Sequence, residues 1–400
     1  MRCVRLEKGQ GLWVAGPARV EVVEGCVYAT GFEACSGESL VVAGTRGASF
    51  AALGGGARLC IVAGSGSGFA VVEGSARLVE EWRRLVEGLE AEGARRIVLL
   101  GPMESGKSTL AVWIHNLLGV AVVEADVGQN ELGTPACVSY SVASGRALSL
   151  SDLELSGCLF VGHVSAERVL DLIVSSVARA AGRVGSRGFV VDTDGFVSGR
   201  GVYYKAALAA AVEPDAVIVM GSAPGLAEAL RVQGLRVLEA PAPGLVRERS
   251  RFDRRSYRRM LWSRLFSSPR SLVVEGKPVA GLCPFTVEAG EVVRYQCPRG
   301  TVEVAPRGAR GPRTLRPGWE RGLLAAVVYE GGQAPALVER LDPASGRAVL
   351  RAAWQPGGEP RGVVLGWLRL GEGFEEEHLR PGLHPEAVLE RERAGRHRGR

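Results

Sequence analysis

The sequence is poor in lysine. Lysine occurs at only four of the 400 positions, and arginine supplies almost all of the positive charge behind the formal net charge of +6. The four are Lys8, Lys107, Lys205 and Lys277. Arginine replaces lysine on most surfaces, but not where a compact point charge must fit inside a phosphate-binding loop. The shortage therefore draws attention to any lysine that stands in such a loop.

The sequence also lacks long apolar runs. No stretch is apolar enough for long enough to cross a membrane as a helix, and the opening residues, MRCVRLEKGQ, lack the apolar segment of a signal peptide. These absences predict a soluble, intracellular, cytoplasmic protein with no membrane partner. The basic balance is consistent with a polyanionic partner, but net charge alone does not identify one.

The eight cysteines are scattered, with no C-x-x-C pair and no histidine at zinc-finger spacing beside them. We interpret them as small buried hydrophobic residues. Disulfides stay an alternative for a hyperthermophilic source, where intracellular bridges occur, and the sequence does not pair the cysteines. They are Cys3, Cys26, Cys35, Cys60, Cys137, Cys158, Cys283 and Cys297.

At 400 residues the chain is too long for one compact core and is expected to divide into domains. Residues 1–90 alternate short Val-rich runs with Gly or Ser turns, which is typical of a β sandwich or barrel. Residues 91–270 alternate apolar strands with helices, which predicts an α/β domain with a mostly parallel sheet. Residues 271–400 return to a strand-and-turn composition, which predicts a small C-terminal β domain with a basic tail.

The apolar runs and periodic segments place the elements of the central region. Strands are predicted to end at Leu100, Asp126, Asp194 and Gly221, with another near Cys158. Helices are predicted over 75–93, 108–118 and 167–181, because apolar residues recur there at helical spacing.

A phosphate-binding loop follows the first of these strands. The segment GPMESGKST fits G-x-x-x-x-G-K-[ST] between an apolar strand and a helical pattern, which is the context that the motif requires. Its backbone N–H groups can surround a β-phosphate, Lys107 can bridge the β- and γ-phosphates, and Ser108 can hold Mg²⁺. The loop residues are Gly101, Pro102, Met103, Glu104, Ser105, Gly106, Lys107, Ser108 and Thr109.

Asp126 follows the second strand, at the edge of the sheet where the phosphate-binding loop lies. An aspartate there can hold the metal or orient the nucleophile, although a turn aspartate at a strand end is the alternative. Gly128 and Gln129 follow at once and predict a loop that faces the ligand. No lysine stands in an N-K-x-D or T-K-x-D segment, so we expect ATP with Mg²⁺ rather than GTP.

Four segments together resemble the Clp1/Grc3/Nol9 family of polynucleotide 5′-hydroxyl kinases, in the manner of an archaeal Clp1-type member. They are the loop GPMESGKST, the segment EADVGQ, the segment DTDGFVSG and the arginine-rich run VRERSRFDRRSYRR. The resemblance covers roughly residues 95–270, and it implies a central P-loop domain flanked by β domains.

The family's nucleic-acid clasp, T-x-G-W, corresponds to Thr193, Gly195 and Phe196. The resemblance implies that these residues, together with Gln129, hold the nucleic-acid end. Phenylalanine replaces the usual tryptophan, which leaves a smaller ring for stacking on a base and predicts weaker or less selective binding of the end. The alternative is that Phe196 is a core residue after a strand.

The family's lid motif, R-x-x-x-R, corresponds to Arg254 and Arg258 within a lid at about 245–266, with Arg249 as a further candidate. The four-residue spacing puts Arg254 and Arg258 on one helix face, from which they could stabilise the γ-phosphate during transfer. A solvated face or a nonspecific phosphate-binding surface is the alternative for each arginine.

The resemblance implies transfer of the γ-phosphate of ATP to a 5′-hydroxyl end of RNA, with DNA often accepted. Lys107, Mg²⁺ and the lid arginines would stabilise charge while Asp126 orients or deprotonates the acceptor oxygen. A catalytically weak, ATP-binding scaffold of an RNA-processing complex is the main alternative, and a small-molecule kinase is another. Adenine recognition is not placed, since Arg58 is only a weak candidate.

Overall fold

The computed structural model describes residues 1–44, 47–73, 75–142, 145–244, 250–283, 285–287, 292–305, 313–342 and 346–398. The chain forms two compact units. The first comprises Met1–Gly133, Val138–Ser156 and Asp171–Tyr257, and the second comprises Thr134–Cys137, Gly157–Leu170 and Arg258–Arg400.

Strands β1 to β9 form two sheets at the start of the first unit. The sheet orders are β1-β8-β3-β6 and β5-β4-β7-β2-β9, and the assigned pairings are antiparallel. The strands are β1 (Arg2–Leu6), β2 (Gly11–Ala15), β3 (Ala18–Glu24), β4 (Cys26–Ala29), β5 (Phe32–Cys35), β6 (Ser39–Val42), β7 (Gly47–Ala51), β8 (Ala57–Ala63) and β9 (Gly68–Val72).

The two sheets share one hydrophobic core. Along β3 buried and exposed residues alternate, which is the pattern of a strand with one face toward a core and one toward solvent. Val20 and Val22 of that strand pack in the same buried cluster as Leu12 and Phe50 of the other sheet. The predicted β character of this segment therefore agrees with the structure.

Six cysteines form disulfides, so the interpretation of all eight as buried hydrophobic residues is wrong for these six. The pairs are Cys3–Cys60, Cys26–Cys35 and Cys283–Cys297. Cys3 and Cys60 are direct partners across β1 and β8, as are Cys26 and Cys35 across β4 and β5. Strand register creates these pairs, and register cannot be read from cysteine spacing. Cys137 and Cys158 form no disulfide and are buried, as expected.

The central sheet of the first unit has the strand order β12-β11-β14-β10-β15-β16. Its strands pair in parallel except for β11 with β12. The strands are β10 (Arg96–Leu100), β11 (Ala121–Glu124), β12 (Cys137–Ser141), β14 (Phe189–Asp192), β15 (Ala216–Met220) and β16 (Val237–Ala240); β13 (Gly157–Phe160) lies in the second unit.

Helices connect these strands, and single 3-10 turns occur at Leu150–Asp152, Ala166–Arg168 and Gly185–Arg187. The helices are α1 (Ser75–Ala91), α2 (Lys107–Leu118), α3 (Leu170–Val184), α4 (Arg200–Val212), α5 (Leu226–Val232) and α6 (Arg251–Leu265). β10, β13, α1, α2 and α3 were predicted close to their observed bounds. β11 ends at Glu124, two residues before the predicted end at Asp126, and β14 ends at Asp192 rather than Asp194.

The N-terminal β segment shares a core with the helices that follow. Tyr28 packs against Trp113 of α2 with ring centroids 5.0 Å apart, and Trp113 meets Trp82 of α1 edge to face. Asn116 also donates to the Thr30 carbonyl over 2.6 Å. These contacts place residues 1–90 in the same unit as the phosphate-binding loop, whereas the sequence predicted a separate domain.

The second unit contains the remaining strands. The sheet orders are β17-β25-β24-β23-β26-β18, with β27 beside β26, and β19-β20-β21-β22. The strands are β17 (Arg270–Glu275), β18 (Val279–Ala280), β19 (Phe285–Val287), β20 (Val293–Cys297), β21 (Gly300–Val304), β22 (Thr314–Leu315), β23 (Leu323–Val328), β24 (Gln333–Asp342), β25 (Arg347–Ala352), β26 (Gly362–Leu370) and β27 (Glu376–His378); helix α7 spans Glu386–Arg398.

An aromatic cluster packs the end of α6 within the second unit. Trp262 is fully buried and stacks on Phe266, which stacks in turn on Phe374. Among the described residues, no helix is both long and apolar enough to cross a membrane.

The disulfides give a direct prediction. Unreduced, denatured protein should incorporate two thiol-alkylating groups per chain, and reduced protein eight, as counted by intact mass. Reduction should also lower the unfolding temperature, because the Cys3–Cys60 bridge spans 57 residues and is worth about 4 kcal/mol on the loop-closure account. Incorporation of eight groups without reduction would contradict the assigned bridges.

Candidate functional site

The phosphate-binding loop follows β10 and opens α2, as predicted. Gly101 has φ +150°, and Gly106, at the N-cap of α2, has φ +91°. A Cβ at Gly101 would lie 2.4 Å from the Met220 carbonyl oxygen, and one at Gly106 would lie 2.9 Å from Pro243 Cδ. Both positions therefore require glycine, and the loop can curl closely around a ligand.

Lys107 is buried within this loop. Its Nζ donates to the carbonyl oxygens of Gly101 over 2.9 Å and of Pro102 over 2.6 Å. Burial, the largest influence, lowers the pKa of Lys107, and the charges of Asp192, Asp126 and Asp194 oppose that shift. The ammonium group is thus surrounded by aspartates that follow or end neighbouring strands of the sheet.

Asp126 lies two residues beyond the end of β11. Its Oδ1 accepts the backbone N–H groups of Gly128 and Gln129 over 3.0 and 2.9 Å, which fixes the loop that the sequence predicted at this point. Burial and then the nearby Asp194 charge raise the pKa of Asp126. A carboxyl group with a raised pKa is better suited to accept a proton near neutrality than an ordinary aspartate.

A second carboxylate fixes the same loop through hydrogen bonds. Glu124 ends β11, and its carboxylate accepts the N–H groups of Glu131 and Leu132 over 2.7–3.0 Å. Asp126 therefore fixes the start of the loop from Asp126 to Leu132, and Glu124 fixes its end. The segment EADVGQ contains Glu124, but sequence reasoning gave it no role.

The turn from Thr193 to Phe196 lies against the phosphate-binding loop. Thr193 Oγ1 donates to the Leu99 carbonyl over 2.8 Å. A Cβ at Gly195 would lie 2.3 Å from Met103 Cγ and 2.5 Å from the Met103 backbone nitrogen. The two segments predicted to hold the phosphates and the acceptor are thus in direct contact.

These segments line one cavity of about 240 Å³ in the first unit. Its polar part contains most of the predicted site residues: Met103, Glu104, Gly106, Lys107, Ser108, Thr109, Asp126, Gln129, Thr193, Gly195 and Arg254. The other three loop residues, Gly101, Pro102 and Ser105, are not among the lining residues. Ser105 Oγ donates to the Pro102 carbonyl.

Part of the cavity lining is aromatic, and sequence reasoning missed it. Trp13, Trp82 and Trp113 are among the lining residues, together with Pro243. The Trp82 indole N–H donates to the Pro241 carbonyl over 3.0 Å, and Trp13 packs directly on Gly47. Scattered tryptophans form no motif, so no local signal could have found this aromatic lining. The exposed Arg58 is not among the lining residues.

Phe196 does not line the cavity. It is half-buried, its N–H donates to Asp194 Oδ1 over 2.8 Å, and it packs against Gly201 in the first turn of α4. Phe196 is not among the buried core residues either, whereas Thr193 and Gly195 of the same predicted clasp line the cavity.

The two lid arginines have different surroundings. Ser250 and Asp253 cap the start of α6 through reciprocal hydrogen bonds of 2.6–3.1 Å, which place Arg254 in its first turn. Arg254 lines the cavity of the first unit. Arg249 lies outside the described residues.

Arg258 belongs to the second unit and is held there by Glu376. Its Nε and Nη2 donate to the two carboxylate oxygens over 2.7 and 2.6 Å, and Trp262 Nε1 donates to the same carboxylate. Burial alone would raise the pKa of Glu376, but these hydrogen bonds and the Arg258 charge lower it. Arg258 thus forms a buried ion pair within the second unit, and its action with Arg254 at the γ-phosphate stays a prediction.

The residues fit a nucleoside triphosphate with Mg²⁺. Four features meet at one cavity. They are a loop with no room for a Cβ at two of its glycines, a buried lysine, the Ser108 hydroxyl and the Asp126 carboxylate. Mg²⁺ commonly uses one or two protein oxygens together with substrate phosphates. The described residues contain no cluster of three or more His, Cys, Asp or Glu side chains that would hold a metal by themselves.

The sheet, the loop and the cavity define a P-loop nucleotide-binding protein. Residues 101–268 match the family model described as the P-loop of the mRNA cleavage and polyadenylation factor CLP1. The predicted resemblance is confirmed for this region.

Curated relatives of this chain are named polyribonucleotide 5′-hydroxyl-kinases. One from Thermococcus kodakarensis is 32% identical over 193 residues, which is 46% of this chain and 55% of the relative. One from Pyrococcus furiosus is 28% identical over 199 residues, which is 48% of this chain and 56% of the relative. One from Methanocaldococcus jannaschii is 26% identical over 184 residues, which is 44% of this chain and 51% of the relative. This chain spans about half the length of the curated relatives it matches.

Solved structures of Clp1p with Pcf11p share the fold over most of the chain. A wild-type Clp1p–Pcf11p complex matches with a TM-score of 0.61 at 14% identity, covering 92% of this chain and 97% of the other. A second structure, which concerns the Pcf11p–Clp1p interface and ATP loss in a point mutant, matches with a TM-score of 0.62 at 14% identity over 92% and 98%. At this identity the match shows the fold alone.

The loop geometry predicts a steric effect of substitution. Gly106→Ala should reduce ATP affinity severely, because the added Cβ meets Pro243 and the backbone has φ +91°. Gly88→Ala is the matched control, since its Cβ would meet nothing within 4 Å on helix α1, and it should stabilise the helix by roughly 0.5–1 kcal/mol. Calorimetric titration of both variants with ATP checks this, and wild-type affinity in Gly106→Ala would contradict the assigned loop.

Proposed function

We propose that this protein is an ATP-dependent polynucleotide 5′-hydroxyl kinase that transfers the γ-phosphate of ATP to the 5′-hydroxyl end of RNA, and also of DNA. The observation that carries the proposal is the single cavity that joins the phosphate-binding loop, Asp126 and the turn at Thr193 and Gly195. The names of the archaeal relatives support the choice of a polyribonucleotide as acceptor.

The cavity suits ATP in one orientation. The loop around Lys107 would hold the β- and γ-phosphates, since its N–H groups and the start of α2 provide positive partial charge. The adenosine would extend toward Trp13 and the α1 residues Leu78 and Val79, which line the same cavity, and the half-buried Trp13 ring would offer stacking surface. This orientation assigns adenine recognition to residues of the N-terminal β segment and helix α1.

Ser108 and Asp126 would hold Mg²⁺ with the ATP phosphates. The ion supplies neutralisation of charge on the transferring phosphoryl group. Lys107 would stabilise the same oxygens, and Arg254 would approach the γ-phosphate from the first turn of α6.

Transfer would proceed by in-line attack. The 5′-hydroxyl oxygen forms a bond to the γ-phosphorus as the bond to the β,γ-bridging oxygen breaks, and ADP leaves. Asp126 would orient the hydroxyl and accept its proton. The protein contributes position and charge rather than covalent chemistry.

The acceptor end would dock beside the phosphate-binding loop. Gln129, Thr193 and Gly195 line the cavity there. Phe196 would contribute indirectly by packing the turn against α4, rather than by stacking on a base within the cavity.

Protein partners in RNA processing are a further part of the proposal. The matched Clp1p structures are complexes with Pcf11p, and the shared fold supports the idea that this chain also works beside other proteins. A scaffold with weak or absent catalysis remains the competing function, because a bound nucleotide does not by itself require transfer.

The deciding experiment offers γ-labelled ATP and Mg²⁺ to 5′-hydroxyl RNA and DNA oligonucleotides. We expect label on 5′-hydroxyl polymer ends and none on 5′-phosphorylated oligonucleotides or free nucleosides. Label on free nucleosides alone would establish a small-molecule kinase. ATP binding without transfer to any acceptor would favour the scaffold.

Lys107→Ala should abolish transfer while preserving the fold, because no other described lysine lines the cavity. Lys277→Ala, at an exposed position in the second unit, is the control and should transfer at the wild-type rate. Labelled-product yield and thermal unfolding are measured for both. Full activity in Lys107→Ala would refute the mechanism.

The two arginines should separate activity from stability. Arg254→Gln should lower kcat with little change in the unfolding temperature, because Arg254 is half-buried at the cavity. Arg258→Gln should destabilise the second unit by about 3 kcal/mol, since it leaves the buried Glu376 without its cation. Denaturant unfolding and steady-state kinetics distinguish the effects, and equal stability of both variants would contradict the assignment.

A further inference from the structure

Lys205 is a fully buried lysine in a protein that otherwise uses arginine for nearly all of its cations. It lies in the middle of α4 with 0% of its surface exposed. A buried ammonium group is costly unless an anion compensates it. Its Nζ lies 3.0 Å from Asp194 Oδ2 and 4.5 Å from the centre of the Tyr204 ring. The Lys205 ammonium group is thus paired with the Asp194 carboxylate.

Asp194 connects Lys205 to the turn before α4. Its Oδ2 faces Lys205 and accepts the Tyr204 hydroxyl over 2.9 Å, while its Oδ1 accepts the Phe196 N–H over 2.8 Å. One carboxylate therefore ties the helix to the backbone of the turn. Asp194 is itself 6% exposed, so water competes little with these contacts.

The turn held in this way forms part of the cavity wall. Thr193 and Gly195, on either side of Asp194, both line the cavity. Gly195 lies so close to Met103 that a Cβ would overlap the phosphate-binding loop. A displacement of the turn by a fraction of an ångström would therefore change the space between the loop and the docking acceptor.

We propose that Lys205 is a positioning residue for the acceptor: through Asp194 it fixes the turn Thr193–Phe196 at the place where the 5′-hydroxyl end docks. This inference rests on the proposed kinase function. Lys205 has no exposed surface, so it acts through Asp194 rather than by touching substrate. The planar guanidinium of arginine is bulkier than an ammonium group, which accounts for lysine at this position.

The first test is Lys205→Met, which keeps the length of the side chain and removes its charge. The KM for a 5′-hydroxyl RNA oligonucleotide should rise on the order of tenfold to a hundredfold, as expected for a misplaced docking segment. The KM for ATP should change by a much smaller factor, because Lys205 acts on the phosphate-binding loop only through the charges around Asp194. Lys277→Met, at an exposed lysine, is the matched control and should change neither constant. An unchanged acceptor KM, or equal increases in both KM values, would overturn the inference.

Two further variants keep the test decisive if Lys205→Met fails to fold. Tyr204→Phe removes only the hydroxyl that donates to Asp194, and it should raise the acceptor KM by a smaller factor in the same direction. The double variant Asp194→Asn/Lys205→Met removes both charges and therefore leaves no unpaired ion in the core. A folded double variant with the wild-type acceptor KM would overturn the inference, and so would an unchanged acceptor KM in Tyr204→Phe.

Direct binding separates this inference from the proposed function. Fluorescence anisotropy of a labelled 5′-hydroxyl RNA oligonucleotide is measured with a non-hydrolysable ATP analogue and Mg²⁺. If the wild type transfers no phosphate but binds the oligonucleotide, the kinase function fails, and weaker binding by Lys205→Met alone would still support the positioning role. If the wild type neither transfers to nor binds the oligonucleotide, both fail.

Discussion

The buried charge of Lys107 is the constraint on which the arrangement of the cavity depends. An ammonium group out of water needs compensating oxygens. Here carbonyls of the phosphate-binding loop supply hydrogen bonds, and Asp126, Asp192 and Asp194 supply negative charge. The strand order β11-β14-β10 explains how these groups meet, because carboxyl ends of parallel strands lie at one edge of the sheet. The sheet thereby delivers the cation and the carboxylates to one place.

The phosphate half of the site was predictable because its information is local. Nine consecutive residues specify the loop, Asp126 comes two residues after an apolar strand, and Thr193 comes directly after another. A strand followed by a polar residue at the sheet edge needs no knowledge of distant contacts. The elements that bound this half, β10 and α2, were correspondingly predicted within one or two residues.

The remaining features depend on tertiary contacts. Trp13 reaches the cavity only because its β segment shares a core with α1 and α2. Arg258 follows Arg254 by one helical turn, yet Glu376, which is 118 residues away in sequence, determines its partner. The disulfides Cys3–Cys60 and Cys26–Cys35 likewise follow strand register rather than cysteine spacing. The nearby sequence indicates which face of a helix a residue occupies, but it does not indicate which distant group contacts that residue.

Asp194 links the two buried lysines. Its charge acts on Lys107, pairs with Lys205 and raises the pKa of Asp126. Burial acts against the charged form of each of these groups, because it lowers the pKa of both lysines and raises that of Asp126. The charges at the phosphate-binding loop, in α4 and after β11 are therefore coupled through one aspartate, and a change at any one of them alters the charge balance at the others.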